Sequence, residues 1–476
     1  MIPRVMSTQH PDNVFIPFFA HDPAMGGEDE ITEAFYAFSV LGADEQMWDF
    51  EGKEVDEFVV KKLFERYPYF FRKKMLGKEL RLTPRVPNPS IEKAEAKLLL
   101  ETLEAIPRSA DYARLFYGEE VAPIFEVILP MTTSSAELNR VYHLYKRYIV
   151  WKQYKRVYDI KLYEWIGRFY PEEISVIPLF ETREAILVAA DMVREYISDK
   201  ELEYQRVFLA RSDPAMNYGL ISAVIYDKFA LYELQKLSEE ESIEIYPIIG
   251  VGGAPFRGHF TPENVDVVLR EYPSAQTYTV QSSFKYDRPA KEVIHAIERV
   301  KGSKRGTAEK VPEEIFGLLE QYTERYSAEI KVLAPIIREV AKYVPSRRRR
   351  KLHVGLFGYS REVNGSALPR AIKFTASLYS LGIPPEILGL SALGEKDIDA
   401  ISDVYRSIYE DLSFAFSCFN PKAAEKFKFL KDVLEISTLF EFERNEEHCE
   451  ITSKILGGEI SEELIIKAAS IRGFLG

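Results

Sequence analysis

Eight short apolar runs, each closed by polar residues and followed by a helical period, constrain this chain more than any other feature. They are Arg4-Val5-Met6, Gln46-Met47-Trp48, Leu80-Arg81-Leu82, Ile124 to Leu129, Val176 to Glu181, Val207 to Arg211, Ile245 to Gly250 and Tyr278 to Gln281. Their spacing averages about forty residues, which suits strand–helix units with generous insertions. Eight such units predict an α/β fold, a (β/α)8 TIM-type barrel with additional α-helices, especially in the C-terminal third; a doubly wound parallel sheet is the rival. Ser134 to Tyr170 reads as more than one helix, and Thr261-Pro262 as a helix start with a cap and a first-turn proline. Beyond residue 300 the texture becomes helical, from Glu313 to Tyr343, through the basic run Arg347 to Lys351 and one more strand-like run, Leu352 to Phe357. The expected division is a barrel core over 1–300, carrying the catalytic strand ends, and a mainly helical part over 301–476 that packs on the barrel and completes the site.

Composition narrows the function classes. The 476 residues carry 62 Lys+Arg against 74 Asp+Glu, a net charge of -12, which disfavours general binding to nucleic acid or membrane because both are anionic. A hydrophobic fraction of 46% supplies a large core and excludes disorder. Only Cys418 and Cys449 are present, too few for a disulfide scaffold or a cysteine-based zinc site. No apolar run approaches the ~18 residues of a spanning helix. The start, MIPRVMSTQHPDN, lacks the apolar stretch of a signal peptide, so a cytoplasmic location is expected. Few Asn and Gln beside 29% charged residues lean towards a thermophilic source.

In a parallel barrel the C-terminal strand ends form the active face. The first run ends at His10, the third at Arg85, the fifth at Glu181, the sixth at Arg211 and Asp213, and the eighth near Gln281 and Lys285. Glu181 and Asp213 end neighbouring strands and can share one cation, in the manner of magnesium held by one or two carboxylates plus substrate oxygens; solvated loop acids or helix caps are the plain alternative. The seventh run leads into Gly250-Val251-Gly252-Gly253-Ala254-Pro255-Phe256-Arg257-Gly258-His259. Its glycines allow backbone N–H groups such as those of Gly252 and Gly253 to approach an anion, and Arg257 adds a bidentate donor; a tight turn with an exposed arginine is the alternative. This loop is neither a dinucleotide fingerprint nor a P-loop. His10 has the right chemistry for a general acid/base or an electrostatic stabiliser, although a His before Pro is also a common turn residue. Arg85, Arg211, Arg361 and Arg370 are further anion-contact candidates, and Arg347 to Arg350 reads as a solvated face or an inter-subunit patch. The residues alone thus describe a metal-dependent barrel enzyme for a small, multiply charged anion.

At these same residues the sequence resembles archaeal-type phosphoenolpyruvate carboxylase. The motifs are MSTQHPDN (6–13), LTPRVPNPS (82–90), IPLFETREAI (177–186), FLARSDPAMNYG (208–219), GVGGAPFRGH (250–259) and LPRAIKFTASLYSLGIPPEILGL (368–390). Larger bacterial and plant carboxylases suggest roles by resemblance. Thr8-Gln9-His10-Pro11 is similar to their catalytic-histidine motif, Pro178 to Thr182 to the motif of their metal-binding glutamate, and Arg211-Ser212-Asp213 to that of their metal-binding aspartate. Their glycine loop carries two arginines; Arg257 corresponds to the second, while Val251 occupies the place of the first. Arg361 and Arg370 resemble two phosphate-binding arginines, and Arg85 an arginine at an earlier strand end. The resemblance implies conversion of phosphoenolpyruvate and bicarbonate to oxaloacetate and phosphate with Mg2+ or Mn2+, through carboxyphosphate and a metal-stabilised enolate. It also implies a homotetramer. A phosphoenolpyruvate mutase-like or 2-oxoacid lyase on the same barrel is the nearest rival, and bicarbonate dependence separates the two; a non-catalytic assembly protein is the alternative from another class.

Overall fold

A computed structural model describes residues 1–51, 56–93, 96–349, 361–363 and 366–476, with backbone alone over 361–363 and 366–367. Eight parallel strands close into a barrel in chain order. They are β1 (Val5–Ser7), β2 (Glu45–Asp49), β3 (Arg81–Arg85), β4 (Glu126–Leu129), β5 (Ser175–Phe180), β6 (Tyr204–Ala210), β7 (Glu244–Gly250) and β8 (Thr277–Val280). Closure is direct, since Val5, Met6 and Ser7 of β1 pair in parallel with Tyr278, Thr279 and Val280 of β8. Each strand coincides with one of the eight apolar runs, and the doubly wound alternative falls away.

Side-chain alternation explains why both faces of these strands are apolar. Met6, Met47, Ile128, Ile177, Leu179, Phe208 and Ile248 point inward and form one closed cluster that fills the barrel. Their neighbours Val5, Trp48, Val127, Val176, Val207 and Leu209 belong instead to the outer core shared with the helices. A strand covered on both sides is apolar on both faces at its centre, whereas buried charges such as Glu45, Arg81 and Arg85 occupy strand ends.

The helices that matter for the site are α1 (Glu28–Tyr36), α2 (Leu220–Glu241), α3 (Glu314–Val340), α4 (Ala371–Ser380) and α5 (Glu462–Arg472). The chain after α5 returns to the top of the barrel, where the Leu475 N–H donates to the Asp12 carbonyl at 2.9 Å. Two expectations need correction. Ser134 to Tyr170 is not wholly helical: helix over Ser135–Tyr154 gives way to a small antiparallel hairpin, Arg156–Val157 with Ile160–Lys161, before Leu162–Ile166. Val157 and Ile160 favour strand, and Tyr158 turns between them at a φ of 59°. Nor is the described part of the basic run a solvated face throughout, since only Arg349 is exposed. Arg347 and Arg348 are buried at 5% and 3% exposure, and Arg349 pairs with Asp22. Arg350, the run Leu352 to Phe357 and the side chain of Arg361 lie outside the described residues.

Candidate active site

The carboxyl ends of β2, β3, β5 and β6 bring acids and arginines into contact. Asp49 and Glu51 lie two residues apart where β2 ends, so both turn to the same face. Arg85, at the end of β3, donates through Nε and Nη2 to the two oxygens of Asp49, each at 2.8 Å, and its Nε lies 3.0 Å from Glu51. Burial alone would depress its pKa, but the facing acids Asp49 and Glu51 hold it well above the ordinary arginine value. Arg370, at the cap of α4, approaches Glu51 from the other side at 3.6 Å.

Glu181 follows β5 and is buried, with one oxygen accepting the Met131 N–H at 2.7 Å. Asp213 sits in the first turn of the helix after β6 and shares a hydrogen bond with Glu181. Burial first, and then the like charge of Asp213, drives the Glu181 carboxyl well above the carboxylate range. A buried Glu181 in contact with a half-buried Asp213 is a repulsive arrangement that a cation relieves, so the donor set fits a divalent metal held by two protein ligands, with its other positions left to substrate and water. Among the described residues no group of three or more His, Cys, Asp or Glu forms a larger cage. Glu92 joins the same neighbourhood: burial and the charge of Glu51 raise its pKa to about 8.

His10 stands at the end of the β1 segment, with the Thr8 hydroxyl oxygen 3.0 Å from its Nδ1. The adjacent Asp12 accepts the Ser283 N–H at 2.8 Å and its hydroxyl at 2.9 Å, which anchors the loop to the end of β8.

The glycine loop after β7 is built around Arg257. This buried guanidinium donates through Nε to Ser212 at 3.0 Å, through Nη2 to Gln281 at 2.6 Å and through Nη1 to the Gly476 carbonyl at 2.8 Å, and it stands 3.9 Å from Asp12. Burial lowers its pKa against the pull of Asp12 and Asp213. The glycines serve packing. A Cβ on Gly252 would stand 2.4 Å from Gln281 Oε1, and one on Gly253 2.6 Å from the Ser283 hydroxyl. The Gly252 N–H donates to the Arg257 carbonyl at 2.7 Å, so that group closes the loop instead of facing an anion. Val251 is wholly buried, and Gly258, at a φ of 111°, leaves room for its side chain. A cavity of about 370 Å³ opens beside this loop, lined by Gly253, His259, Arg288, Arg472 and Phe474 but by neither Glu181 nor His10.

Glu181, Asp213 and Arg85 therefore form one centre, with Arg370 at its edge and His10 and Arg257 on the same barrel face. Arg211 turns away from it: the guanidinium is fully buried near Tyr272, Asp227, Tyr405 and Asp411, behind the strand. Its position at the end of a strand does not set the direction of its side chain. Asp49, Glu51, Glu92 and Asp12 are members that sequence reasoning passed over. For Asp49 and Glu51 the signal was present, as an Asp-x-Glu step at a strand end. Glu92 lies far from any strand end and gave none.

A closed parallel barrel with buried acids, arginines and a histidine at its strand ends defines a barrel enzyme acting on small charged substrates. The chain belongs to the phosphoenolpyruvate carboxylase family, whose description "Phosphoenolpyruvate carboxylase" matches residues 2–476. It is 63% identical to the phosphoenolpyruvate carboxylase of Pyrococcus abyssi (strain GE5 / Orsay) over 476 residues, covering 100% of both chains. Those of Pyrococcus furiosus (strain ATCC 43587 / DSM 3638 / JCM 8422 / Vc1) and Methanothermobacter thermautotrophicus (strain ATCC 29096 / DSM 1053 / JCM 10044 / NBRC 100330 / Delta H) are 61% and 52% identical, again over 100% of both chains. No helix among the described residues is long and apolar enough to cross a membrane.

Proposed function

We propose that the chain converts phosphoenolpyruvate and bicarbonate to oxaloacetate and phosphate at the carboxyl end of the barrel. The observation that carries this reading is the contact of buried Glu181 with Asp213 beside Arg85, on the face that also holds Arg257 and His10. Glu181 and Asp213 would hold Mg2+ or Mn2+, which when bound supplies Lewis-acid stabilisation of charge on substrate oxygens.

Arg370, with Arg361 from the resemblance, neutralises the phosphoryl group while it passes from the enol oxygen to a bicarbonate oxygen, and Arg257, whose nitrogens are held by Ser212, Gln281 and the Gly476 carbonyl, contributes its charge from behind. Positioning and electrostatics dominate such a transfer. Arg85, already bidentate to Asp49, fixes the acids rather than meeting the phosphoryl group. The P–O bond to the enol breaks and one to bicarbonate forms, giving carboxyphosphate and the enolate of pyruvate. His10 takes the carboxyl proton of carboxyphosphate, whose C–O bond then breaks to release carbon dioxide and phosphate. The enolate carbon attacks carbon dioxide and oxaloacetate forms. The packed glycine loop excludes water, which would otherwise protonate the enolate to pyruvate.

In keeping with the resemblance, the protein is a homotetramer in a cytoplasmic setting. The exposed aromatics Tyr148, Trp151 and Trp165 support association, and sedimentation at four chain masses tests it. The activity test is oxaloacetate formation from phosphoenolpyruvate with Mg2+, coupled to malate dehydrogenase, with and without bicarbonate. Bicarbonate-dependent signal is expected. Consumption of phosphoenolpyruvate without it would favour the mutase or 2-oxoacid lyase reading.

A further inference from the structure

The proposed reaction gives no task to the charged groups packed beneath the His10 loop. Glu33 of α1 is wholly buried and accepts Arg348 through both Nη1 and Nη2 at 2.6 Å, Lys285 at 2.8 Å and the Tyr286 hydroxyl at 2.5 Å. Arg348 also stands 3.5 Å from Glu30. Burial alone would raise the Glu33 pKa, but Arg348 and Lys285 hold it well below the carboxylate range. Burying such ions is unfavourable unless geometry and pairing are good, and networks of this kind can be retained for the conformation they specify.

Lys285 and Arg348 carry this network to one segment. Lys285 Nζ donates to the Ser7 hydroxyl at 3.0 Å and to the Thr8 carbonyl at 2.8 Å. Arg348 donates to the Ser282 hydroxyl at 3.2 Å, and the Ser282 N–H donates to the His10 carbonyl at 3.3 Å. Arg347 holds the far side, donating to the carbonyls of Asn13 at 3.3 Å and Val14 at 2.5 Å. Thr8, fixed through its carbonyl, places its hydroxyl oxygen 3.0 Å from His10 Nδ1, where it can accept the Nδ1–H.

We infer that Arg348, acting through Glu33 and Lys285, is a positioning residue for His10: it fixes Thr8 so that the Thr8 hydroxyl oxygen accepts the Nδ1–H, which holds His10 in the tautomer whose Nε2 can take the proton. The inference rests on the proposed role of His10 as base. Displacement of a catalytic group by about 1 Å can cost ~10²-fold. A displaced base leaves phosphoryl transfer running and slows its capture as oxaloacetate, so the two products separate.

The experiment measures phosphate and oxaloacetate in the same reaction for the wild-type chain and for His10→Asn, Thr8→Val, Thr8→Ser and Arg348→Lys, with thermal melts alongside. Thr8→Val removes the hydroxyl without disturbing a charge. Arg348→Lys keeps the charge and loses the bidentate fork. Wild type is expected to form the products one for one. Thr8→Val and Arg348→Lys are expected to raise the ratio of phosphate to oxaloacetate by about tenfold or more, with KM for phosphoenolpyruvate within about threefold. Thr8→Ser is expected to restore coupling. Parallel loss of both products, or an unchanged ratio in folded Thr8→Val or folded Arg348→Lys while His10→Asn is uncoupled, would overturn the inference. If Arg348→Lys does not fold, Thr8→Val decides. Coupled turnover by His10→Asn itself would instead overturn the base assignment, and this inference with it.

Discussion

The two ends of one barrel treat buried charge in opposite ways. At the amino ends of the strands, Arg206 donates to both oxygens of Glu45 at 2.8 and 2.6 Å and to Glu126 at 3.0 Å, and Arg81 reaches the same Glu126 oxygen at 2.6 Å. Burial alone would raise Glu45, yet Arg206 lowers it, so every charge there is matched. At the carboxyl ends Glu181 is raised by burial and Asp213, and Glu92 by burial and Glu51. The same strands therefore carry a satisfied network at one end and an unsatisfied one at the other. A satisfied network supports the fold, whereas groups held away from their ordinary ionisation mark a site built for a ligand.

Substitutions at the two ends should separate activity from stability. Glu181→Gln and Asp213→Asn are each expected to lower oxaloacetate formation by about 10³-fold and to weaken its metal dependence, measured by titrating Mg2+ in the coupled assay. An unchanged titration in both would remove the paired-ligand assignment. Arg206→Met is expected to cost about 3–5 kcal/mol in urea unfolding, because Glu45 and Glu126 lose their partner, while kcat per folded molecule stays near wild type. A loss of kcat without a loss of stability would break the comparison.

A smaller effect comes from Glu386, which accepts the Phe256 N–H at 2.7 Å and the Tyr379 hydroxyl at 2.9 Å behind the glycine loop. Burial raises its pKa to about 7. The native state then keeps a proton that the unfolded chain has lost, so stability from this group is full below the ordinary carboxyl range and is lost as pH rises through about 7. Unfolding free energies compared at pH 5 and pH 8 should show about 3 kcal/mol of this loss in wild type and little in Glu386→Gln. The smallest effect expected is a gain: Glu181→Gln should stabilise the metal-free protein by about 1 kcal/mol in the same assay, since one of two contacting carboxylates disappears.

The barrel was legible because a strand buried on both faces has an apolar centre, and eight such runs recur, while the buried charges sit towards the strand ends, as Glu45, Arg81 and Arg85 do. Glu181, Asp213 and His10 were legible because they end those runs. Arg211 ends a run too, yet its side chain packs behind the strand, and chain position carries no information about that direction. Arg347 and Arg348 misled for a related reason: a basic run ordinarily prefers solvent, and only the distant acids Glu33 and Glu30 of α1 and the carbonyls of Asn13 and Val14 reverse that preference. Such long-range pairings are not written in local pattern.

Manganese binding followed by electron paramagnetic resonance tests the central assignment most directly, because it reads the cation without needing turnover. One tight Mn2+ per chain is expected in wild type and in folded Arg206→Met, and its loss in Glu181→Gln. Equal binding by wild type and Glu181→Gln would contradict the assignment of the unsatisfied end of the barrel as the metal and substrate site.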